Sequence, residues 1–126
     1  MKDIINKFKF KGDGIVINAP AELEKEFKTL GFGTSVDKKV KSKNTLVFVN
    51  TNKEYVDFLS KKLTSVEHDS VLWFAYPKGS SGIKTDINRD TLRATGEEFG
   101  ITTVTAISIN DTWSALRFRP IERVGK

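Results

Sequence analysis

The stretch of residues 71–90 constrains the fold of this chain most, because an uncharged run is followed at once by a loop rich in glycine and serine. The run VLWFAY contains no charge and is mostly large or β-branched, which is typical of a strand covered on both faces. Pro77 has no N–H to donate, so it ends this strand. A KGSSG loop follows, after which Thr85 or Asp86 is suited to cap a helix.

The residues before this stretch show the same alternation of strand and helix. Residues 14–17 and 45–49 are apolar runs that predict buried strands. A helix over residues 20–30 follows the first of them, because apolar side chains recur there on one face and Gly31 provides a stop. The second is followed by a helix that opens with a capping-box spacing at Thr51 and Glu54 and buries Tyr55, Phe58, Leu59 and Leu63.

The residues after it predict one more helix and two strands. The helix covers residues 86–99, and strands are expected over residues 102–109 and 112–119, joined by a turn at Asn110 and Asp111. Shorter segments are less sharply defined: residues 3–10 fit a helix or a strand, 32–37 a weak strand, 66–69 a turn and 121–126 a loose tail.

These elements predict a single α/β domain over residues 1–126. Strand–helix units with right-handed crossovers give a three-layer Rossmann-like sheet, mostly of parallel strands, that ends in a C-terminal antiparallel β-hairpin. A length of 126 residues suits one domain with one core. The absence of cysteine excludes disulfides and thiolate chemistry and fits a cytoplasmic protein, and no apolar run is long enough to predict a membrane span.

The net charge of +5 lies entirely in the first half of the chain. Residues 1–62 hold 13 lysines against 8 acidic residues, whereas residues 63–126 hold 8 basic and 8 acidic residues. The lysines are densest at Lys38, Lys39, Lys41 and Lys43. Such a patch permits nucleic-acid binding, but aromatic residues do not alternate with these lysines, and a solvated loop explains them better.

A ligand site is expected where the strands end. Parallel strands place the loops at their carboxyl ends on one edge of the sheet, and ligands bind there in α/β proteins. The KGSSG loop with Lys84 beside a helix N-terminus would attract an anion through free N–H groups and the helix dipole. We therefore predict a site for a small anionic ligand, or for a segment of a partner, at Asn18, Lys78, Gly79, Ser80, Ser81, Gly82, Lys84, Asp111 and Trp113.

Structural roles explain several of these residues as well. The serines could serve a tight strand-to-helix turn, Trp113 could belong to the core, and Asp111 could close its turn through its side chain. His68, the single histidine, is expected in a solvated turn. We predict no catalytic residue, no cofactor and no metal site, since one histidine and no cysteine make a transition-metal site improbable.

Two resemblances extend this interpretation. The chain resembles an uncharacterised family of small bacterial proteins, which is classified as a domain of unknown function. The resemblance lies in residues 72–86, with the motif PKGSSG, in residues 111–118, with the motif DTWS, and in the turn INAP at residues 17–20. The succession of elements resembles an abbreviated class I methyltransferase, the Rossmann-like fold that binds S-adenosylmethionine. That resemblance implies a glycine-rich turn after the first strand and an acidic residue after the second.

The chain departs from the methyltransferase pattern at both points. Its first strand ends in NAPA, without glycine, at residues 18–21, and the acidic residue could only be Asp37. A non-catalytic α/β binding module therefore explains the sequence best. A degenerate S-adenosylmethionine-dependent enzyme and a nucleic-acid binder that uses residues 38–43 are the alternatives.

Overall fold

The computed structural model describes residues 2–35 and 41–124, which contain one five-stranded sheet. Its spatial order is β1-β2-β3-β5-β4, with the strands numbered along the chain. They are β1 (Ile15–Ile17), β2 (Ser42–Phe48), β3 (Val66–Pro77), β4 (Ile101–Ser108) and β5 (Trp113–Pro120). β1, β2 and β3 pair in parallel, and β5 pairs antiparallel with both β3 and β4. The predicted α/β sheet of mostly parallel strands is confirmed, and its last two strands are antiparallel to each other.

Four α-helices accompany the sheet within the described residues: α1 (Lys2–Lys7), α2 (Ala21–Thr29), α3 (Asn52–Lys61) and α4 (Arg89–Glu98). Single 3-10 turns lie at Leu63–Ser65, Gly79–Ser81 and Ile121–Arg123. The predicted capping box is present at α3, where Thr51 and Glu54 exchange side-chain hydrogen bonds with each other's backbone N–H groups. None of the helices in this part of the chain is long and apolar enough to cross a membrane.

The uncharged run of β3 lies at the centre of the molecule and is covered on both faces. All five residues from Val71 to Ala75 are buried. Leu72 and Phe74 pack with residues of α3 and α4, in what we call the α3–α4 cluster. Trp73 packs with residues of α1 and α2, in the α1–α2 cluster. Because burial of each large apolar side chain contributes about 1.5–3 kcal/mol, this strand supplies a large share of the core.

Trp73 also fixes the N-terminal segment to the sheet. Its indole Nε1–H donates a hydrogen bond of 2.9 Å to the carbonyl oxygen of Phe8, and the two rings pack edge to face at 5.4 Å. Phe8 itself is completely buried. Residues 3–10, for which helix and strand were both possible, therefore begin as the helix α1 and then pack across the sheet.

Four local predictions were wrong in whole or in part. The helix expected from residue 86 begins at Arg89, because Asn88 forms a capping box with Thr91. The residues expected to form a turn at 66–69 belong to the amino end of β3. Part of the expected loose tail forms a 3-10 turn, and the N–H of Ile121 donates to the carbonyl oxygen of Gly100 at 3.0 Å. A weak strand was expected over residues 32–37. Its described residues contain a single parallel bridge, between Gly33 and Ile15, and residues 36–37 lie outside the described part.

Gly96, in the middle of α4, is required by packing. A Cβ atom at this position would lie 2.8 Å from the hydroxyl oxygen of Tyr55 and 3.0 Å from a ring carbon of Phe118. The Tyr55 hydroxyl is itself fixed there, because it donates to the carbonyl oxygen of Leu92 at 2.8 Å. The glycine therefore lets α4 approach the sheet closely.

We expect Gly96→Ala to lower the free energy of unfolding by about 1–3 kcal/mol, since the added methyl group overpacks this contact. Alanine in place of glycine at an exposed helix position would instead raise it by about 1 kcal/mol. Urea unfolding followed by circular dichroism measures the difference. The exposed Glu98→Ala serves as the control and should stay within about 0.5 kcal/mol of the wild type. A Gly96→Ala protein as stable as the wild type would contradict the close packing.

Candidate functional site

The carboxyl ends of β3 and β4 and the amino end of β5 meet at one edge of the sheet, which we call the Lys78 rim. The backbone N–H of Lys78 donates to the carbonyl oxygen of Thr112 at 2.8 Å. The Lys78 ammonium group lies 2.6 Å from the hydroxyl oxygen of Ser108, to which it donates. Lys78 is thus held against the turn that contains Asp111.

The ammonium group of Lys78 has unused binding capacity. Its hydrogen bond to Ser108 is exposed to solvent, and an ammonium group has three N–H donors, of which Ser108 accepts one. Among the described residues no carboxylate lies within salt-bridge distance of it. The rim therefore presents an uncompensated positive charge beside a serine hydroxyl.

The loop after Lys78 differs from the expected anion-binding loop in one respect. Gly79–Ser81 forms a 3-10 turn, and Gly82 adopts the left-handed conformation at a φ of 82°. Residues 82–88 then separate this turn from the start of α4, so the turn does not lead directly into a helix N-terminus as expected. Ser81 accepts a hydrogen bond from the N–H of Ile83 at 3.2 Å, whereas Ser80 and Lys84 are exposed.

Residues 83–88 fold back over the end of β2. The hydroxyl group of Thr85 donates to the carbonyl oxygen of Asn50, and the carboxylate of Asp86 accepts from the N–H of Asn52 at 2.7 Å. Ile87 is buried in the α3–α4 cluster. Thr85 and Asp86, expected to cap α4, thus bind the turn that begins α3, and the chain itself occupies the space above β2.

Of the two predicted site residues near the turn between β4 and β5, Trp113 has a structural role and Asp111 does not. The turn between β4 and β5 is closed by Asn110, whose side-chain oxygen accepts from the N–H groups of Thr112 and Trp113, each at 2.9 Å. Asp111 was expected to make such a contact but is exposed instead. Trp113 is only 6% exposed and packs edge to face against Phe48 at 5.1 Å, so it is a core residue and offers no stacking platform.

Asn18 lies at the end of β1, separated from the Lys78 rim by β2. It has a left-handed backbone with a φ of 60°, and its side-chain N–H groups donate to the carbonyl oxygen of Phe48 at 3.1 Å and to Glu54 at 3.3 Å. The structure thus uses this side chain to join β1 to β2 and α3. Of the predicted site, the fold brings together Lys78, the KGSSG turn and the Asp111 turn, whereas Asn18 lies apart from them.

A second candidate site lies at the opposite edge of the sheet and was missed in the sequence. Ser42 pairs with Val66 and Asn44 pairs with Val71, so residues 67–70 bulge out of β3 opposite Lys43 alone. A cavity of about 470 Å³, which we call the Asp69 cavity, lies beside this bulge. The polar residues before the uncharged run of β3 are typical of a turn, so the sequence indicated this bulge only weakly.

Ion pairs surround the mouth of the Asp69 cavity. The guanidinium group of Arg119 donates to both carboxylate oxygens of Asp69, at 2.9 and 3.1 Å, and Arg123 approaches Asp69 at 3.5 Å. The hydrogen bond and positive charge of Arg119, with the charge of Arg123, hold the pKa of Asp69 below its usual value. His68 lies 3.0 Å from the carboxylate of Glu122.

Half of the predicted lysine patch, Lys38 and Lys39, lies outside the described residues, since residues 36–40 are not among them. Asp37, the acidic residue considered for a ribose contact, lies in the same segment. Lys41 and Lys43 are exposed, and Lys41 lines the Asp69 cavity. These two positions do not bring aromatic residues into the patch, and no observation favours nucleic-acid binding.

The pairing of Asp69 predicts a pH dependence that Asp69→Asn should remove. Because the pKa of folded Asp69 lies below that of the unfolded chain, its contribution to stability is present above about pH 3.9 and is lost as the pH falls through the lower, folded value. Asparagine tolerates the left-handed backbone of this position, where φ is 55°, so the variant removes the charge alone.

Urea unfolding between pH 2 and pH 7 provides the measurement. The wild type should lose more stability on acidification than Asp69→Asn, and the exposed Asp57→Asn should follow the wild type. Equal acid sensitivity in wild type and Asp69→Asn would contradict the assigned pairing.

Comparisons with known proteins show the fold of this chain. Neither a family model nor a curated protein matches it, so the resemblance to an uncharacterised bacterial family stays a prediction. A solved structure described as a "putative type 11 methyltransferase from Sulfolobus solfataricus" is similar, with a TM-score of 0.52 and 11% sequence identity, and the match covers 99% of this chain and 94% of that one. The protein therefore has a methyltransferase-like Rossmann fold, and at this identity the similarity establishes the fold alone.

Proposed function

We propose that the protein is a non-catalytic binding module that holds a small anionic ligand, or an acidic segment of a partner, at the Lys78 rim. In this proposal the last two strands form a hairpin on a three-layer domain, and the turn of the hairpin is one wall of the site. Lys78 supplies the charge, and Ser80, Lys84 and the backbone of the KGSSG turn supply further donors.

The ammonium group of Lys78 is the observation that supports this proposal most. It donates to Ser108, and no carboxylate among the described residues lies within salt-bridge distance of it. An ammonium group that has no carboxylate partner can form charge-assisted hydrogen bonds to an anionic ligand. Gly79 and Gly82 carry no side chain, so an anion could approach the backbone of the turn.

Calorimetric titration with pyrophosphate and with a short polyglutamate peptide tests the proposal and separates the two kinds of ligand. Removing a charged hydrogen-bond donor costs about 1.5–3 kcal/mol, so Lys78→Ala should weaken binding roughly 10- to 100-fold. Lys25→Ala, an exposed lysine of α2, is the matched control and should bind like the wild type. Absence of wild-type binding at low salt, or equal losses in both variants, would contradict the proposal.

A degenerate methyltransferase is the second candidate, because the chain shares its fold with the protein from Sulfolobus solfataricus. Two features weigh against it. The turn after β1 has no glycine, where such a fold would need the backbone itself to approach the cofactor, and the side-chain amide of Asn18 in this turn donates to Phe48 and Glu54.

We therefore expect S-adenosylmethionine at millimolar concentration to leave the melting temperature unchanged in a thermal-shift assay. A ligand that binds only the folded state would raise it in a saturable manner. Such a rise, retained in Lys78→Ala, would favour the enzyme over the binding module.

A further inference from the structure

One side of the outermost strand β4 is open. β4 pairs with β5, and no other strand of the described residues pairs with it. The outermost strand at the other end of the sheet, β1, is covered, because the N–H of Val16 donates to the carbonyl oxygen of Gly33 at 2.8 Å and the N–H of Gly33 donates to that of Gly14 at 3.0 Å. The backbone groups on the open side of β4 therefore form a template on which a further strand can pair.

The open side of β4 lacks the charges and prolines with which proteins usually protect an outermost strand. Residues 101–109 have the sequence ITTVTAISI, which contains neither. Residues 104–106 are exposed, and the apolar Val104 is 38% exposed. Val104 forms a bulge in the pairing with β5, but residues 105–108 continue in register opposite residues 114–117. A regular, uncharged and exposed segment thus remains beyond the bulge.

The backbone of Ala106 points to this open side. The N–H of Ile109 donates to the carbonyl oxygen of Trp113, the residue directly opposite it, at 2.9 Å. Hydrogen-bonded and non-hydrogen-bonded pairs alternate along an antiparallel ladder, so Ile107 also bonds β5 and Ala106 between them does not. Ala106 therefore presents both its N–H and its C=O to a strand on the open side.

The charges of α4 favour a second copy of this chain as the partner. α4 packs against β4, and Glu97 accepts a hydrogen bond from the hydroxyl group of Thr102 at 2.7 Å. Exposed charges are mainly positive in the first half of α4 and negative in the second. They belong to Arg89, Asp90 and Arg93 in the first half and to Glu97 and Glu98 in the second. A two-fold axis perpendicular to the sheet makes two copies of α4 antiparallel on the same face, so the positive half of one lies beside the negative half of the other.

We propose that two copies of this chain form a two-fold dimer in which their β4 strands pair antiparallel about Ala106 and join the two sheets into one. The pairing strands carry no charge, so no like charges meet along them. The two-fold contact is closed and leaves no open strand at this side of the sheet. The dimer does not depend on the ligand site proposed at the Lys78 rim.

Sedimentation velocity over a range of protein concentrations tests the proposal, and the wild type should show a reversible equilibrium of monomer and dimer. Ala106→Pro removes the N–H on the open side and no hydrogen bond to β5. It should weaken the dimer about 5- to 150-fold, because both N–H donors of the central pair are lost. Ala21→Pro, at the first position of α2 where proline is tolerated, is the matched control and should dimerise like the wild type.

If Ala106→Pro does not fold, Ala106→Lys replaces it, since two lysines at the axis repel each other. A wild type that stays monomeric at every concentration, or that forms larger open-ended assemblies, would overturn the proposal. So would a folded Ala106 variant that dimerises as tightly as the wild type.

Reversal of charge on α4 tests the two-fold arrangement. Arg93→Glu and Glu97→Arg each replace attraction between the two copies of α4 by repulsion. Each should weaken the dimer about two- to thirtyfold, given about 0.2–1 kcal/mol for an exposed pair that occurs twice. The double variant exchanges the two charges and should restore the affinity of the wild type. Unchanged affinity in both single variants, or a double variant weaker than either, would contradict the arrangement.

Discussion

The pairing of β3 with β2 on one side and β5 on the other is the constraint on which the rest of the structure depends. β3 is 12 residues long, and its residues 71–75 are buried on both faces of the sheet. The pairing of Trp73 with Arg117 and of Phe74 with Leu116 fixes the register of β5. Both candidate sites follow from this strand: the Lys78 rim lies at its carboxyl end, and the Asp69 cavity lies at its amino end.

Similarity of fold does not carry over the chemistry of a methyltransferase. In this chain Thr85 and Asp86 bind the turn after β2, and the side chain of Asn18 joins β1 to α3. The functional proposal therefore depends on the charge of Lys78. This is a property of one particular residue and does not follow from the architecture.

The sequence predicted those parts of the fold that depend on local pattern. The uncharged run before Pro77 predicted the central strand, and the spacing of Thr51 and Glu54 predicted the start of α3. The prediction was wrong where two similar residues compete for one role. Asn88 caps α4 in place of Thr85 or Asp86, because those two residues bind the turn after β2 instead. Asn110 closes the turn that was assigned to Asp111. The bulge at residues 67–70 was missed, because its polar residues are stabilised by Arg119, 50 residues further along the chain.

Mapping of a pyrophosphate titration by the backbone amide shifts of the ¹⁵N-labelled protein is the most direct test of the central claim. Binding at the Lys78 rim predicts saturable shifts confined to residues 78–84 and 108–112, at the carboxyl end of β3, and none near residues 18–20. Shifts confined to residues 41–43, shifts centred on the turn after β1, or no saturable shifts at low salt would contradict the account.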